Sequence, residues 1–176
     1  MTIVACGAAP AADLATLVKQ AIGRQWTVQV VATPSALPFF DAGEIEQLTG
    51  APVRSEYSKP GAPRSRIPDA IIVAPATFNT INQWALGLSD TYALGVLAEQ
   101  TGMSIPTAVL PFVSDALARR PPFQRSVKAL RAEGVSVLLG TGGVPVHRAH
   151  SEDDHLAGFP WETALDEVFA MTGFGG

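Results

Sequence analysis

The sequence predicts an α/β fold, a three-layer sandwich in which a parallel five-stranded sheet lies between two layers of helices. Five short apolar runs are separated by loops rich in Gly, Pro, Ser or Thr. Each run is continuous rather than alternating, which is typical of parallel strands covered on both faces. Helical patterns lie between the runs, and repeated strand–helix–strand order predicts a parallel sheet. The predicted strands are Thr2–Cys6, Thr27–Ala32, Ala70–Ala74, Thr107–Leu110 and Val135–Leu139.

Helical periodicity and helix-stop residues predict four helices. They run from Leu14 to Gly23, from Trp84 to Leu97 with a break near residues 87–90, from Pro121 to Gly134, and from about Pro160 onward. Two stretches interrupt the alternation of strands and helices and are expected to be loops: Ser55–Arg66 and Gly140–Gly158. We therefore expect one domain over residues 1–176, with a long loop or flap over 140–160 and a C-terminal helix and tail over 161–176.

Length and composition narrow the class of protein. A chain of 176 residues fits one domain. The net charge of −4, without a basic stripe, argues against nucleic acid as a partner. No secretory signal and no apolar run near the ~20 residues of a membrane span is evident, and the single Cys6 suits a reducing compartment. We expect a cytoplasmic protein without a membrane partner. Its low charged content of 16% favours a homo-oligomer.

The loops after the predicted strands are where a ligand is expected, because open α/β sheets bind ligands beyond the carboxyl ends of their strands. These loops carry small residues and hydroxyls, and they lack carboxylates and lysines. Such a set suits a planar cofactor that brings its own reactivity, rather than a hydrolase triad. Taken singly, each loop also fits ordinary turn and helix-cap chemistry. The first loop is not a G-x-G-x-x-G fingerprint, and a P-loop lysine is absent.

Residues 69–99, DAIIVAPATFNTINQWALGLSDTYALGVLAE, resemble a block of the homo-oligomeric flavin-containing cysteine decarboxylase family. That family includes phosphopantothenoylcysteine decarboxylase, peptidyl-cysteine decarboxylases and flavin prenyltransferases. Weaker similarity extends over VQVVATPSALPFF (28–40) and residues 105–138, so that the resemblance covers roughly residues 1–140. It implies a flavodoxin-like or Rossmann-type fold, FMN bound near a subunit interface, and a trimer or a multiple of three.

The resemblance also implies which residues contact FMN. Thr33, Ser35 and Phe39 correspond to the phosphate and flavin loop. The loop after the third predicted strand, residues 75–80, would line the flavin ring and the ribityl chain. Asp90 would occupy the turn that breaks the predicted helix Trp84–Leu97. The full set of expected cofactor contacts is Gly7, Ala8, Thr33, Ser35, Phe39, Pro75, Ala76, Thr77, Asn79, Thr80, Asp90 and Pro111.

The sequence departs from the family where the decarboxylase chemistry lies. The family's catalytic histidine falls upstream of the third strand, whereas Ser55–Pro68 contains no histidine. The family's P-x-M-N motif appears as Pro111-Phe112-Val113-Ser114, which leaves Ser114 as a weak catalytic candidate. Two functions remain: an FMN enzyme with decarboxylase-like (lyase) or oxidoreductase activity on a small or peptidyl substrate, or a scaffold or partner subunit, with or without flavin, that has lost the activity.

Three histidines after the last strand are the remaining candidates. The spacing of His147, His150 and His155 matches no standard zinc pattern, so we expect a solvated flap and no metal. His147 or His150 remains a weak catalytic candidate, because histidine is the usual proton shuttle. Cys6 is expected to be structural, since it ends a buried strand and no basic partner is evident.

Overall fold

A computed structural model describes residues 1–57, 66–140 and 158–173. Five parallel strands form one sheet in the order β2-β1-β3-β4-β5. The strands run over β1 Thr2–Ala5, β2 Gln29–Ala32, β3 Ile71–Ala76, β4 Thr107–Pro111 and β5 Ser136–Val137. The predicted α/β class with a five-stranded parallel sheet is confirmed.

Helices cover both faces of the sheet. The α-helices are α1 Leu14–Gly23, α2 Ala42–Thr49, α3 Phe78–Ala85, α4 Tyr92–Gly102, α5 Asp115–Ala118, α6 Pro121–Ala132 and α7 Trp161–Thr172. Helices α1 and α7 share one buried cluster with Ile3 and Ile72 of the sheet. Helices α3, α4 and α6 share the other cluster with Val4 and Val73. Alternate residues of the same strands enter opposite clusters, because side chains in a strand point alternately to its two faces.

The structure corrects several predicted boundaries. The third strand continues through Pro75 and Ala76, beyond its predicted end at Ala74, and both residues are buried. The next helix begins at Phe78 rather than at Trp84, because the Thr77 side chain caps it by accepting a hydrogen bond from the Thr80 amide. The break near residues 87–90 is confirmed, since α3 ends at Ala85 and α4 begins at Tyr92. The last strand is shorter than predicted.

Two helices, α2 and the one-turn α5, are absent from the sequence-based prediction. Helix α2 begins after Asp41, whose carboxylate accepts hydrogen bonds from the amides of Gly43 and Glu44. It ends at Gly50, which has a positive φ of 68°. Both are ordinary helix-boundary signals. Helix α2 contributes only one buried residue, Ile45, to the core, so its apolar stripe was too weak to detect.

Parts of two predicted loops fall outside the described residues. They are residues 58–65 of the predicted loop Ser55–Arg66 and residues 141–157 of the predicted flap Gly140–Gly158. The candidates His147, His150 and His155 lie in the second of these stretches. Within the described residues, no helix is both long enough and apolar enough to cross a membrane.

Candidate functional site

An open cleft of about 840 Å³ lies at the carboxyl ends of the strands. This volume is within the ~300–1,000 Å³ of most small-molecule sites. Strand order reverses between β1 and β3, and the loops that follow these two strands both line the cleft. Such a reversal is the place where doubly wound sheets bind their ligands. The lining residues are Gly7, Ala8, Thr33, Pro34, Ser35, Thr77, Phe78, Asn79, Thr80, Gln83, Thr91, Leu94, Phe112, Val113, Ser114 and Leu117.

Backbone hydrogen bonds hold the starts of the first, second and fourth loops to a neighbouring strand. The Thr33 amide donates to Ala5 O at 2.9 Å, and the Phe112 amide donates to Ala76 O at 2.8 Å. The Cys6 amide donates to Pro75 O at 3.1 Å. The sheet ladder therefore continues past the ends of the strands, and it places the first residues of the loops relative to one another.

The first and second loops touch at Gly7. A Cβ atom built on Gly7 would lie 2.8 Å from the Ser35 carbonyl carbon and would also meet the Ser35 carbonyl oxygen. Non-bonded Cβ contacts this short are essentially never seen in real structures. Glycine at position 7 therefore allows the two loops to pack directly against each other at the floor of the cleft.

Two helix N-termini border the cleft. Thr77 caps α3, and Thr91 caps α4 by accepting a hydrogen bond from the Leu94 amide at 3.3 Å. Unpaired amides in the first turn of a helix, together with the helix dipole, favour a negatively charged ligand group. Ser114, also in the lining, caps the short helix α5 by accepting from the Leu117 amide at 3.4 Å.

Hydroxyl groups lie in pairs along the cleft. Thr33 Oγ1 and Ser35 Oγ are 3.2 Å apart, and Thr77 Oγ1 and Thr80 Oγ1 are 3.0 Å apart. Each pair can donate to a ligand while remaining satisfied internally, because a hydroxyl both donates and accepts. Asn79 adds an amide that is exposed to solvent.

Cys6 lies beneath the second hydroxyl pair. Its side chain is fully buried, and burial raises the pKa of the thiol, against a smaller lowering by hydrogen bonds to the Thr80 side chain and the Thr77 backbone. A neutral, buried thiol packs as a small apolar group. This geometry supports the structural role expected for Cys6.

The described cleft is uncharged. Its lining residues include no Asp, Glu, Lys, Arg or His. Across the described parts of the chain, no three His, Cys, Asp or Glu side chains come together in a way that could hold a metal ion. What the described site offers is hydrogen bonding from hydroxyls, amides and helix N-termini, beside apolar walls from Phe78, Phe112 and Leu117.

A family profile described as Flavoprotein matches residues 1–172. The chain belongs to the Flavoprotein family.

Solved structures of similar fold cover nearly the whole chain. One is the cypemycin decarboxylase CypD, with a TM-score of 0.75, 19% identity and coverage of 98% of this chain and 93% of that chain. Another is a PPC decarboxylase variant in complex with pantothenoylaminoethenethiol, with a TM-score of 0.73, 19% identity and coverage of 99% and 97%. The FMN binding protein AtHal3 has a TM-score of 0.68, 20% identity and coverage of 93% of both chains.

One curated relative is a much longer protein than this chain. The Coenzyme A biosynthesis bifunctional protein CoaBC of Mycobacterium tuberculosis is 29% identical over 128 residues. The match covers 70% of this chain and 30% of the relative, so the chain spans about a third of that protein's length.

The structure brings many of the predicted site residues of this Flavoprotein family member together. The cleft is lined by Gly7, Ala8, Thr33, Ser35, Thr77, Asn79, Thr80 and Ser114. The other predicted residues lie outside the lining. Pro75, Ala76 and Pro111 are buried in strands, Phe39 ends a 3-10 helix with 40% of its surface exposed, and Asp90 is exposed in the link before Thr91.

Sequence reasoning missed several of the lining residues that helices contribute. Gln83 comes from α3, Thr91 and Leu94 from the start of α4, and Leu117 from α5. Thr91 had a detectable signal, since a threonine directly before an apolar helical stretch is a typical N-cap. The others carry no local signal, because only the packing of their helices turns them toward the cleft.

Proposed function

We propose that this chain binds FMN in the cleft and uses it for redox or decarboxylation chemistry on a small or peptidyl substrate. Membership of the Flavoprotein family supports a flavin. Similar structures include the FMN-dependent cysteine decarboxylases SpaF and TvaF and the FMN binding protein AtHal3. Decarboxylation is named for several of the similar structures.

The observation that carries the proposal is the uncharged, hydroxyl-rich cleft at the β1/β3 reversal. A flavin supplies its own electron-accepting chemistry, so that the protein needs to bind and orient it rather than provide charged catalytic groups. The donor set fits FMN in kind. Paired hydroxyls and helix N-termini suit a phosphate and a ribityl chain, and apolar walls suit a planar ring.

We assign roles by position in the cleft. Thr33 and Ser35, whose hydroxyls are 3.2 Å apart, would bind the phosphate. Thr77 and Thr80 would contact the ribityl chain, with their hydroxyls oriented by the Thr80 amide and the buried Cys6. Asn79 would donate to or accept from the polar edge of the ring.

The first prediction tests flavin binding directly. Purified protein is expected to absorb in the blue flavin bands and to release FMN on denaturation, identified by mass spectrometry. Asn79→Leu removes an amide from the cleft and is expected to weaken FMN binding by about 10-fold, the effect of one lost hydrogen bond. Isothermal titration of the deflavinated protein measures both dissociation constants.

Gln47→Leu is the matched control for this measurement, because it removes an amide from the exposed part of α2, away from the cleft. Its FMN affinity should equal that of the wild type. A colourless wild-type protein that also fails to take up added FMN would contradict the proposed function.

A non-catalytic flavin binder is the second candidate. Its support is Ser114, which stands where the decarboxylase resemblance implies an asparagine and whose hydroxyl already caps α5. A short hydroxyl that caps a helix has less reach than an amide for positioning a substrate. FMN binding with neither flavin reduction nor turnover across a panel of small and peptidyl substrates, beyond those that carry cysteine, would favour this second function.

The second prediction concerns assembly, since we propose a homo-oligomer of three subunits or a multiple of three. Leu86 and Leu88, in the link between α3 and α4, are 74% and 45% exposed, and apolar surface of this kind favours a protein contact. Light scattering should give a mass of at least three chains, and a Leu86→Asp, Leu88→Asp variant should give a smaller one. Met171→Asp, on α7, is the control and should leave the mass unchanged. A flavin-bound monomer at micromolar concentration would contradict this prediction.

A further inference from the structure

An aromatic ring lies among the polar donors of the cleft. Phe78 follows Thr77 and precedes Asn79 in the first turn of α3, and it lines the cleft while partly buried. Its ring stacks on that of Phe123 in α6, with centroids 5.6 Å apart and ring planes within 16° of parallel. Phe123 is fully buried. One face of Phe78 is thus covered by the core, and the rest of the ring is available to the cleft.

Contacts between α3 and α6 hold the Phe78 backbone in place, and the stacking on Phe123 holds its ring. The Ser126 hydroxyl of α6 donates to the Asn82 side-chain oxygen of α3 at 2.7 Å. The Asn82 amide nitrogen in turn donates to the Phe78 carbonyl at 2.9 Å. A ring held in this way loses little conformational freedom when a ligand packs on it, so that more of the contact energy appears as affinity.

Phe112 is the other aromatic ring of the lining, and its surroundings differ. It packs edge-on against Phe159, with centroids 6.1 Å apart, in the cluster on the opposite face of the sheet. Its neighbour in the lining is the apolar Val113. Of these two rings, only Phe78 is flanked by a hydroxyl and an amide, those of Thr77 and Asn79. That combination matches a planar heterocycle, which has an apolar face and a hydrogen-bonding edge.

We propose that Phe78 is a positioning residue that packs against the isoalloxazine ring of the flavin, held in place by Phe123. This inference rests on the proposed function, because it assigns a contact within the proposed FMN site. In this arrangement Asn79 would contact the polar edge of the ring, Thr77 and Thr80 the ribityl chain, and Thr33 and Ser35 the phosphate.

The test separates contacts to the ring from contacts to the phosphate. Dissociation constants for FMN and for riboflavin, which has the ring and ribityl chain but no phosphate, are measured for wild type, Phe78→Leu, Phe78→Tyr and Thr33→Val. Phe78→Leu should raise both constants by about 10-fold, since it removes an aromatic stack. Phe78→Tyr keeps the ring and should stay within about 3-fold of wild type. Thr33→Val should raise the constant for FMN more than that for riboflavin.

The fluorescence of the bound flavin is a second readout, and a loss of protein stability alone would not change it. Tyr is a better electron donor than Phe, so Phe78→Tyr should lower the fluorescence of bound FMN below that of the wild-type complex. Phe169→Leu and Phe169→Tyr, on α7 and outside the lining, are the controls and should leave affinity and fluorescence unchanged. Circular dichroism verifies that each variant is folded.

The outcomes distinguish this inference from the proposed function. Wild type that binds FMN, with Phe78→Leu and Phe78→Tyr matching it in affinity and fluorescence, would overturn the role of Phe78 and leave the proposed function standing. A wild-type protein that binds neither FMN nor riboflavin would overturn both. Equal losses for FMN and riboflavin in Phe78→Leu, with quenching in Phe78→Tyr, would support both.

Discussion

Carbon dioxide release from 4′-phosphopantothenoylcysteine is expected to stay at the background given by free FMN. The resemblance to cysteine decarboxylases implies that a histidine and an asparagine position the substrate carboxylate. Here the described cleft holds Ser114 in place of the asparagine, with its hydroxyl already capping α5. Positioning and proton transfer each contribute factors of ~10²–10⁴, so loss of both groups should remove measurable turnover.

Residues 55–68 correspond to the stretch that carries the histidine in the decarboxylases. Tyr57, in the described part of this segment, packs against helix α4. The Tyr57 ring lies edge-on to Tyr92 of α4, with centroids 5.2 Å apart, and the Arg54 guanidinium lies 5.0 Å from the Tyr92 ring centre. Neither Arg54 nor Tyr57 is part of the cleft lining. Tyr57 of this segment therefore packs against α4 and is not part of the cleft.

The assay compares carbon dioxide release from 4′-phosphopantothenoylcysteine and from a peptide with a C-terminal cysteine. The FMN-loaded protein, the deflavinated protein and free FMN are run in parallel. Flavin-dependent turnover on either substrate, well above free FMN, would show the prediction to be wrong. In that case a His150→Ala variant shows whether the histidines after the last strand supply the proton transfer.

Gly7→Ala is expected to destabilise the fold and to weaken FMN binding by at least about 10-fold. The new Cβ would lie 2.8 Å from the Ser35 carbonyl carbon, so the backbone of the second loop must move. Overpacking against a well-packed site costs ~1–3 kcal/mol, which corresponds to a melting temperature lower by very roughly 2–12 °C in a chain of this length. The same movement separates the Thr33 and Ser35 hydroxyls that are proposed to bind the phosphate.

Gly23→Ala is the matched control, because Gly23 ends α1 and a Cβ there meets nothing within 4 Å. Replacing glycine in a helix with alanine leaves stability equal or slightly higher. Thermal unfolding and FMN titration are measured on both variants. A Gly7→Ala protein with the melting temperature and FMN affinity of the Gly23→Ala protein would show that the contact between the two loops is not required.

The fold class could be predicted from the sequence because strands that are buried on both faces consist of continuous apolar runs. The strand residues Ile3, Val4, Ile72 and Val73 are all buried, and a run of this kind cannot be mistaken for a half-exposed strand. The position of the hydroxyl-bearing loops at one edge of the sheet could also be predicted. Thr33 and Thr77 directly follow strands, Ser114 comes three residues after the end of β4, and the carboxyl ends of parallel strands share one edge of the sheet.

The tertiary structure alone decided how those loops are combined. That Gly7 is required for contact with Ser35 follows from the pairing of β1 with β2, which no local pattern contains. Gln83, Leu94 and Leu117 enter the cleft because α3, α4 and α5 are packed at particular rotations, and the periodicity of a helix does not say which neighbour its buried side meets. The backing of Phe78 by Phe123 joins residues that lie far apart in the chain. Long-range packing of this kind depends on the whole arrangement of layers, so the sequence determines the class of the site while the assembled fold determines its shape.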